Sequence, residues 1–199
     1  YFVLSLWSGF VGFSLSLIVR LELGSGGVWL GDEQLYNVLV TSHAVFMVFF
    51  LVMPIFMGGF GNWLLPVMLG LEDMALPRLN NLSMLLLILS MGLVGCSMLL
   101  GGSSAGWTMY PPLMLREFSP SLGVDFMILS LHIAGLSSIL GSINILVTCG
   151  LACSVVGGVD RVPMMVWALV VTSALVVLTV PVLAASLSML VMDRYLSTC

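Results

Sequence analysis

Two histidines are the residues of this sequence best suited to chemistry, because each lies in a long stretch that is otherwise apolar. An imidazole in such surroundings has no water to pair with, so it is by default a candidate functional group. Tyr36, Val40 and Met47 share the face of His43 at helical steps, which leaves room for a flat apolar cofactor. For His43, metal or haem ligation and a hydrogen bond to a neighbouring helix both remain open. His132 has no second histidine at i+3 or i+4, and we expect it to be a structural hydrogen-bonding group.

A second group of polar residues could carry protons. Asp73 lies at the end of the apolar stretch that contains His43, with asparagines within one or two helical turns. Such groups could order water into a pore, although a solvated loop acid with capping asparagines is the alternative. The serines further along could equally bond to their own helix backbone. The candidates for this pathway are Asp73, Asn62, Asn80, Ser137, Ser138 and Asn144.

The composition identifies the environment that must position these groups. Hydrophobic residues make up 60% of the chain and charged residues 7%, and the mean hydropathy is +1.21. A soluble domain is about a quarter charged, so the surroundings are a lipid bilayer. The five basic residues are scattered arginines and the net charge is −4, which excludes a nucleic-acid-binding surface.

The pattern of apolar runs predicts an all-α fold, a polytopic transmembrane helix bundle of about five spans. A span needs about 20 apolar residues, and charged or glycine-rich turns separate the runs. The second run exceeds this length, which predicts tilt, projection from the bilayer or a kink near Pro54. We expect one transmembrane domain over residues 1–199, with spans near 1–19, 36–71, 82–100, 126–149 and 163–192.

Several long motifs carry a family resemblance. Thr41-Ser-His-Ala44 precedes a run that contains Val-Met-Pro-Ile-Phe-Met-Gly-Gly-Phe-Gly-Asn-Trp, and Gly106-Trp-Thr-Met-Tyr-Pro-Pro112 follows later. With Glu72-Asp-Met-Ala-Leu-Pro-Arg-Leu-Asn-Asn81 and Leu129-Ser-Leu-His-Ile-Ala-Gly-Leu-Ser-Ser-Ile-Leu-Gly141, the sequence resembles the cytochrome c oxidase subunit I family, the haem–copper oxidase core. The resemblance covers essentially all 199 residues, and it implies the N-terminal part of a longer subunit.

The resemblance implies a haem site around the second span. His43 matches the axial ligand of the low-spin haem a, and its metal would be the haem iron. Arg20 matches the arginine that hydrogen-bonds the formyl group of that haem. Tyr36 and Trp107 match positions that line the haem region.

The same resemblance implies ion and proton sites. Asp73 matches the acid at the mouth of the D proton pathway. Polar groups further along that pathway match Asn62, Asn80, Ser137, Ser138 and Asn144. Glu22 and Gly27 match two contributors to a peripheral calcium or sodium site, which uses oxygen ligands.

The function implied is that of the terminal respiratory oxidase, which transfers electrons from cytochrome c through haem a to oxygen and pumps protons. The full-length parent would also hold haem a3 and copper B, whose ligands lie beyond Cys199. The implied partners are oxidase subunits II and III, cytochrome c through subunit II, and membrane lipid, in the mitochondrial inner membrane. The alternatives are a non-redox membrane transporter or structural subunit, and a bacterial quinol oxidase relative.

Departures from the family pattern fall away from the expected haem site. The chain reads Ser83-Met-Leu-Leu-Leu-Ile-Leu-Ser90 where the family has a Phe-Trp pair and two prolines. The loop segment Met114-Leu-Arg-Glu-Phe-Ser-Pro-Ser121 is also atypical. These differences affect loop contacts with partner subunits and leave His43, Arg20 and Asp73 in place.

Overall fold

The computed structural model describes residues 1–26, 29–155, 162–196 and 198. Helices account for nearly all of the regular structure, and the described residues contain no strand. Two π-helical segments, Phe46–Val52 and Pro54–Gly61, interrupt the second apolar stretch. The α-helices in chain order are α1 (Phe2–Gly24), α2 (Glu33–Val45), α3 (Asn62–Leu69), α4 (Pro77–Leu99), α5 (Leu122–Val155) and α6 (Met164–Leu196).

Within the described residues, five helices are long and apolar enough to cross a membrane. This result confirms the predicted all-α bundle of about five spans. The second of these helices is continuous from Glu33 to Leu69 and comprises α2, both π segments and α3. At 37 residues it is roughly 50 Å long, well beyond a hydrocarbon core of about 30 Å.

Local sequence signals account for several helix ends. Asp32 caps α2, since its carboxylate accepts a hydrogen bond from the Gln34 amide at 2.8 Å. Pro77 occupies the first turn of α4, where its missing N–H costs no helical hydrogen bond. Gly70 ends α3 with φ +68°, a left-handed conformation that glycine adopts without strain.

Pro54 accounts for the irregular centre of the second span. In an α-helix the Phe50 carbonyl would accept from residue 54, which is a proline without an N–H. The chain adopts a π-helical pattern at this point, on both sides of Met53. The Ser8 hydroxyl on α1 donates to the Phe50 carbonyl at 2.7 Å, so α1 supports the disturbed segment.

A serine ladder joins α4 to α5, which run antiparallel. The Ser137 hydroxyl donates to the Ser83 carbonyl at 2.6 Å, and the Ser130 hydroxyl donates to the Ser90 carbonyl at 2.8 Å. These contacts repeat every seven residues along both helices, and small side chains allow the two backbones to approach closely. The ladder consists of the pairs Ser83–Ser137, Ser90–Ser130 and Ser97–Gly123.

Candidate functional site

His43 lies in the last turn of α2, half-buried, with one ring nitrogen engaged. Its Nδ1 lies 2.8 Å from the Gly12 carbonyl oxygen on α1. A carbonyl can only accept, so Nδ1 carries the proton and donates. The lone pair of a neutral imidazole is then on Nε2, which has no hydrogen-bond partner among the described residues. This is the tautomer that binds a metal through Nε2, and the residues present therefore fit axial ligation of a haem iron.

Gly12 makes this contact possible because it lacks a side chain. A Cβ at this position would lie 2.7 Å from the Met47 sulfur and 3.5 Å from the Phe46 Cβ. The absence of that atom lets α1 approach the His43 helix closely enough for a backbone carbonyl to reach the imidazole. The helix partner of His43, which the sequence left open, is therefore a backbone group.

The other expected haem-lining residues lie apart from this contact. Arg20 is exposed on α1, about 12 Å along the helix from Gly12. Tyr36 is half-buried on α2, two turns before His43. Trp107 is 51% exposed in the loop between α4 and α5. No hydrogen bond joins any of these three side chains to another described residue.

Part of the expected proton pathway does come together. The Asn62 amide donates to the Asn80 amide oxygen at 2.8 Å, which links the second span to α4. The Ser83 hydroxyl donates to the Asn80 carbonyl at 2.8 Å and lies 2.5 Å from the Tyr1 hydroxyl. Ser137 reaches this group through its bond to the Ser83 carbonyl. Amides and hydroxyls from separate spans therefore form one polar cluster.

Two cavities adjoin this polar cluster. A small one of about 30 Å³ has Tyr1, Asn62, Ser137 and Ser138 in its wall, and that volume admits about one water molecule. An open cleft of about 560 Å³ is lined by Tyr1, Asn62 and Asn80 among others. The Ser138 hydroxyl donates to the Ala134 carbonyl of its own helix at 3.0 Å, the backbone bond considered as the alternative.

Tyr1 and Ser83 are pathway candidates that sequence reasoning missed. No motif marks Tyr1, and Ser83 stands out in the sequence only as part of a departure from the family pattern. The two hydroxyls lie within hydrogen-bonding distance, and each can both donate and accept.

Asp73 is exposed and lies outside both cavities. Its carboxylate accepts from the neighbouring Met74 amide at 2.7 Å. The turn that carries it is fixed to α5 by two side chains: the Asn144 amide oxygen accepts from Leu76 N at 3.0 Å, and the Thr148 hydroxyl from Ala75 N at 3.1 Å. Asn144 thus contacts the Asp73 turn rather than the polar cluster, and its buried Nδ2 has no partner among the described residues.

The expected calcium or sodium site is only partly described. Glu22 accepts hydrogen bonds from the Trp29 and Leu30 amides at 3.1 and 2.9 Å, both through Oε2. Its second carboxylate oxygen has no hydrogen-bond partner among the described residues. Gly27 lies outside the described residues. Among those that are described, no group of three or more His, Cys, Asp or Glu residues could hold a metal ion.

A buried ion pair joins the ends of α5 and α6. Arg194 is 4% exposed and donates to the Asp125 carboxylate at 2.7 Å. It also donates to the carbonyls of Met114, Ser119 and Ser121 in the loop between α4 and α5. Asp125 and Arg194 are 69 residues apart in the chain, so no spacing signal in the sequence could reveal that they meet.

His132 has weaker contacts than His43. Its Nε2 lies 3.4 Å from the Ser188 hydroxyl, at the limit of a hydrogen bond, and its buried Nδ1 has no partner among the described residues. It borders a groove of about 360 Å³ between α5 and α6. The expected structural hydrogen bond is therefore long and incomplete.

These features define a polytopic α-helical membrane protein whose second span carries a half-buried imidazole with one unpaired nitrogen and whose interior holds a polar cluster with room for water. The sequence matches the family described as "Cytochrome C and Quinol oxidase polypeptide I" over residues 1–199. The chain belongs to this family of haem–copper oxidases.

Two curated relatives make the similarity quantitative. A "Cytochrome c oxidase subunit 1" from Pecten maximus is 50% identical over 196 residues, which cover 98% of this chain and 41% of the relative. A protein of the same name from Yarrowia lipolytica (strain CLIB 122 / E 150) is 44% identical over 201 residues, covering 100% of this chain and 38% of the relative. The chain thus spans about two fifths of the length of the curated relatives it matches.

Proposed function

We propose that the chain is part of the catalytic subunit of the terminal respiratory oxidase, a multi-pass protein of the mitochondrial inner membrane. The whole enzyme would transfer electrons from cytochrome c through haem a to oxygen, reduce it to water and pump protons. Family membership and the printed names of the relatives support this assignment. The structural observation that carries it is the His43–Gly12 hydrogen bond, which leaves Nε2 free for iron.

In this proposal His43 holds haem a and the surrounding residues set its environment. The haem iron would supply the one-electron redox chemistry. The bond from Nδ1 to the Gly12 carbonyl fixes the ring orientation and makes Nε2 a stronger donor to the metal. Arg20, always charged, would donate to the formyl oxygen of the haem, and Tyr36 and Trp107 would line the haem pocket.

Protons would enter at Asp73. An exposed carboxylate attracts protons and can pass them to ordered water. The Asn62–Asn80 pair, with the hydroxyls of Tyr1 and Ser83, would orient that water beyond the entrance. Ser137 and Ser138 border the small cavity, whose wall also includes Tyr1 and Asn62. Asn144 would act on the pathway by fixing the Asp73 turn to α5.

The remaining assignments concern the parent protein. Haem a3 and copper B would be held by sequence beyond this chain. We take residues 1–199 themselves to form a single transmembrane domain. Oxidase subunits II and III, membrane lipid and cytochrome c through subunit II are the proposed partners. Glu22 would provide one oxygen to a calcium or sodium ion, with Gly27 as a second contributor.

Replacement of His43 in the assembled full-length oxidase tests the proposal. His43→Ala should abolish the low-spin haem a absorption band, because the axial ligand from the second span is lost. His132→Ala is a matched control, since it removes the other intramembrane histidine, and it should leave the band at full intensity. A preserved haem a band in the His43→Ala enzyme would refute the assignment and return a non-redox membrane protein to consideration.

A further inference from the structure

The loop between α4 and α5, residues 100–121, lies against α2 at two points one helical turn apart. Gly102, at φ +61°, touches Val38 so closely that a Cβ would lie 2.3 Å from the Val38 Cγ1. The Gly106 amide donates to the Thr41 hydroxyl at 3.1 Å. Both α2 residues are buried, and Thr41 is only 1% exposed. This loop therefore packs on α2, the helix that carries His43. The contact at Thr41 lies two residues before His43.

The Thr41 hydroxyl is oriented to accept the hydrogen bond from the Gly106 amide. It donates to the Asn37 carbonyl of its own helix at 2.9 Å, so its lone pairs remain to accept from Gly106. The turn that follows is tight: Gly106 has φ +82°, the non-glycine Met109 has φ +53°, and the Met109 amide donates to the Gly106 carbonyl at 3.3 Å. Trp107 lies inside this turn, so its backbone position follows that of Gly106.

The far end of the loop has a separate anchor. Arg194 binds the carbonyls of Met114, Ser119 and Ser121, which fixes this part of the loop to α6. At the near end, the described hydrogen bond between the loop and α2 is the one that Thr41 accepts. The Trp107 side chain is 51% exposed, so packing in this chain does little to place it.

We propose that Thr41 is a positioning residue for the haem pocket. Its hydroxyl fixes the distance between the His43 helix and the Trp107 turn, so that the indole closes the edge of the pocket on the side of this loop. The inference rests on the proposed haem function of His43. It adds a residue that touches no cofactor and acts through the backbone of the Gly106–Trp107 turn.

Substitution of Thr41 in the assembled full-length oxidase tests the inference. Thr41→Val keeps the shape and removes the acceptor, so the haem a band and midpoint potential should shift while the haem content stays unchanged. Loss of one buried hydrogen bond should also make the Gly106 amide exchange about tenfold faster. Thr41→Ser keeps the hydroxyl and should restore the original band, potential and exchange rate. Thr172→Val is the control, because among the described residues the Thr172 hydroxyl bonds to carbonyls of its own helix alone.

A double-mutant cycle separates positioning from a general loss of packing. If Thr41 acts through the indole, Thr41→Val should cause no further shift in potential in a Trp107→Phe background. Thr41→Ala leaves room for a water molecule at the Gly106 amide, and it should give a smaller shift in the same direction. An unchanged potential in both Thr41→Val and Thr41→Ala, or a fully additive shift with Trp107→Phe, would overturn the inference. If the Thr41 inference fails in either way but His43→Ala still loses the haem band, the proposed function of His43 stands.

Discussion

The interface between α4 and α5 and the interface between α1 and the second span differ in how completely their buried polar groups are paired. In the serine ladder each hydroxyl that crosses between α4 and α5 has a carbonyl partner on the facing helix. The ladder hydroxyls belong to Ser97, Ser130 and Ser137, and all three are fully or almost fully buried.

The other interface has one such bond, from the Ser8 hydroxyl to the Phe50 carbonyl, but the helices that form it also carry unpaired polar groups. The hydroxyls of Ser5 on α1 and Ser42 on α2 are buried without a partner among the described residues. His43 uses one ring nitrogen on the Gly12 carbonyl and leaves the other free. Unpaired polar groups inside a membrane protein are costly, so an interface that retains them is suited to a ligand or cofactor rather than to stability alone.

Neighbouring interfaces of one bundle can therefore have different roles, one structural and one suited to a cofactor. One has all its interhelical hydroxyls satisfied and gains rigidity, whereas the other lies beside a site that needs an open lone pair. The two meet where Tyr1 reaches Ser83, at the polar cluster proposed to conduct protons. Substitutions in the ladder should therefore change stability, and substitutions at the open interface or the polar cluster should change spectra or turnover.

The largest effect is expected in the ladder at Gly123. A Cβ there would lie 2.5 Å from the Gly102 amide nitrogen and 2.7 Å from the Ser97 carbonyl oxygen, both backbone atoms that cannot rotate away. Gly123→Ala should destabilise the assembled protein by about 3 kcal/mol, measured as a lower thermal midpoint and yield. Gly92→Ala on α4 is the control, because a Cβ there meets no atom within 4 Å. Equal stability of the two variants would contradict the structural role of the interface between α4 and α5.

The next effect concerns the proton pathway that leads to the polar cluster where the two interfaces meet. Asp73→Asn keeps the side-chain shape but removes the titratable group, and it should slow turnover about tenfold, or uncouple proton uptake. The haem spectrum should stay unchanged, because Asp73 lies in a turn remote in sequence from His43. Glu72→Gln is the matched control and should be nearly silent in proton-pumping assays with sealed vesicles. Normal pumping by Asp73→Asn would remove the entrance role, and a simultaneous loss of haem would make the residue structural.

The smallest effect is expected at the middle of the ladder. Ser130→Ala removes one hydrogen bond to the Ser90 carbonyl and should cost about 0.6 kcal/mol, the average for such bonds in membrane proteins. Turnover and haem spectra should not change. Ser186→Ala, which removes a hydroxyl bonded to its own helix on an exposed face, gives the baseline. A spectral change in Ser130→Ala would mean that the ladder also shapes the cofactor site.

The sequence was most informative where the governing rule is local. Apolar run length predicted about five spans, and the described residues contain five helices that are long and apolar enough. The position of His43 inside an apolar run was enough to mark it as a candidate functional residue. The helix α1 continues to Gly24, past the last residues of its apolar run, since helix ends are set by local backbone bonding as well as by apolarity.

Contacts between helices could not be predicted, since they depend on how the elements pack. The Gly12 carbonyl that sets the His43 tautomer comes from another helix, and backbone groups leave no sequence signature. The meeting of Arg194 with Asp125 and of Tyr1 with Ser83 likewise depends on tertiary packing. Pro54 did signal a disturbance in the second span, but the support from Ser8 is again a contact between helices.

The seven-residue repeat of the serine ladder raises a question of alignment. Equivalent pairs recur along both helices, so a slide of α5 by seven residues would still set Ser130 or Ser137 opposite another serine. Such a sliding degeneracy is broken at Gly123, where the Ser97 hydroxyl and the Gly102 amide fit against a backbone without a side chain. A slide of α5 by seven residues that brought Ser130 to that point would place the Ser130 Cβ against backbone atoms. The lack of a side chain at Gly123 thus favours the observed alignment of α4 and α5 and sterically excludes the one in which Ser130 takes its place.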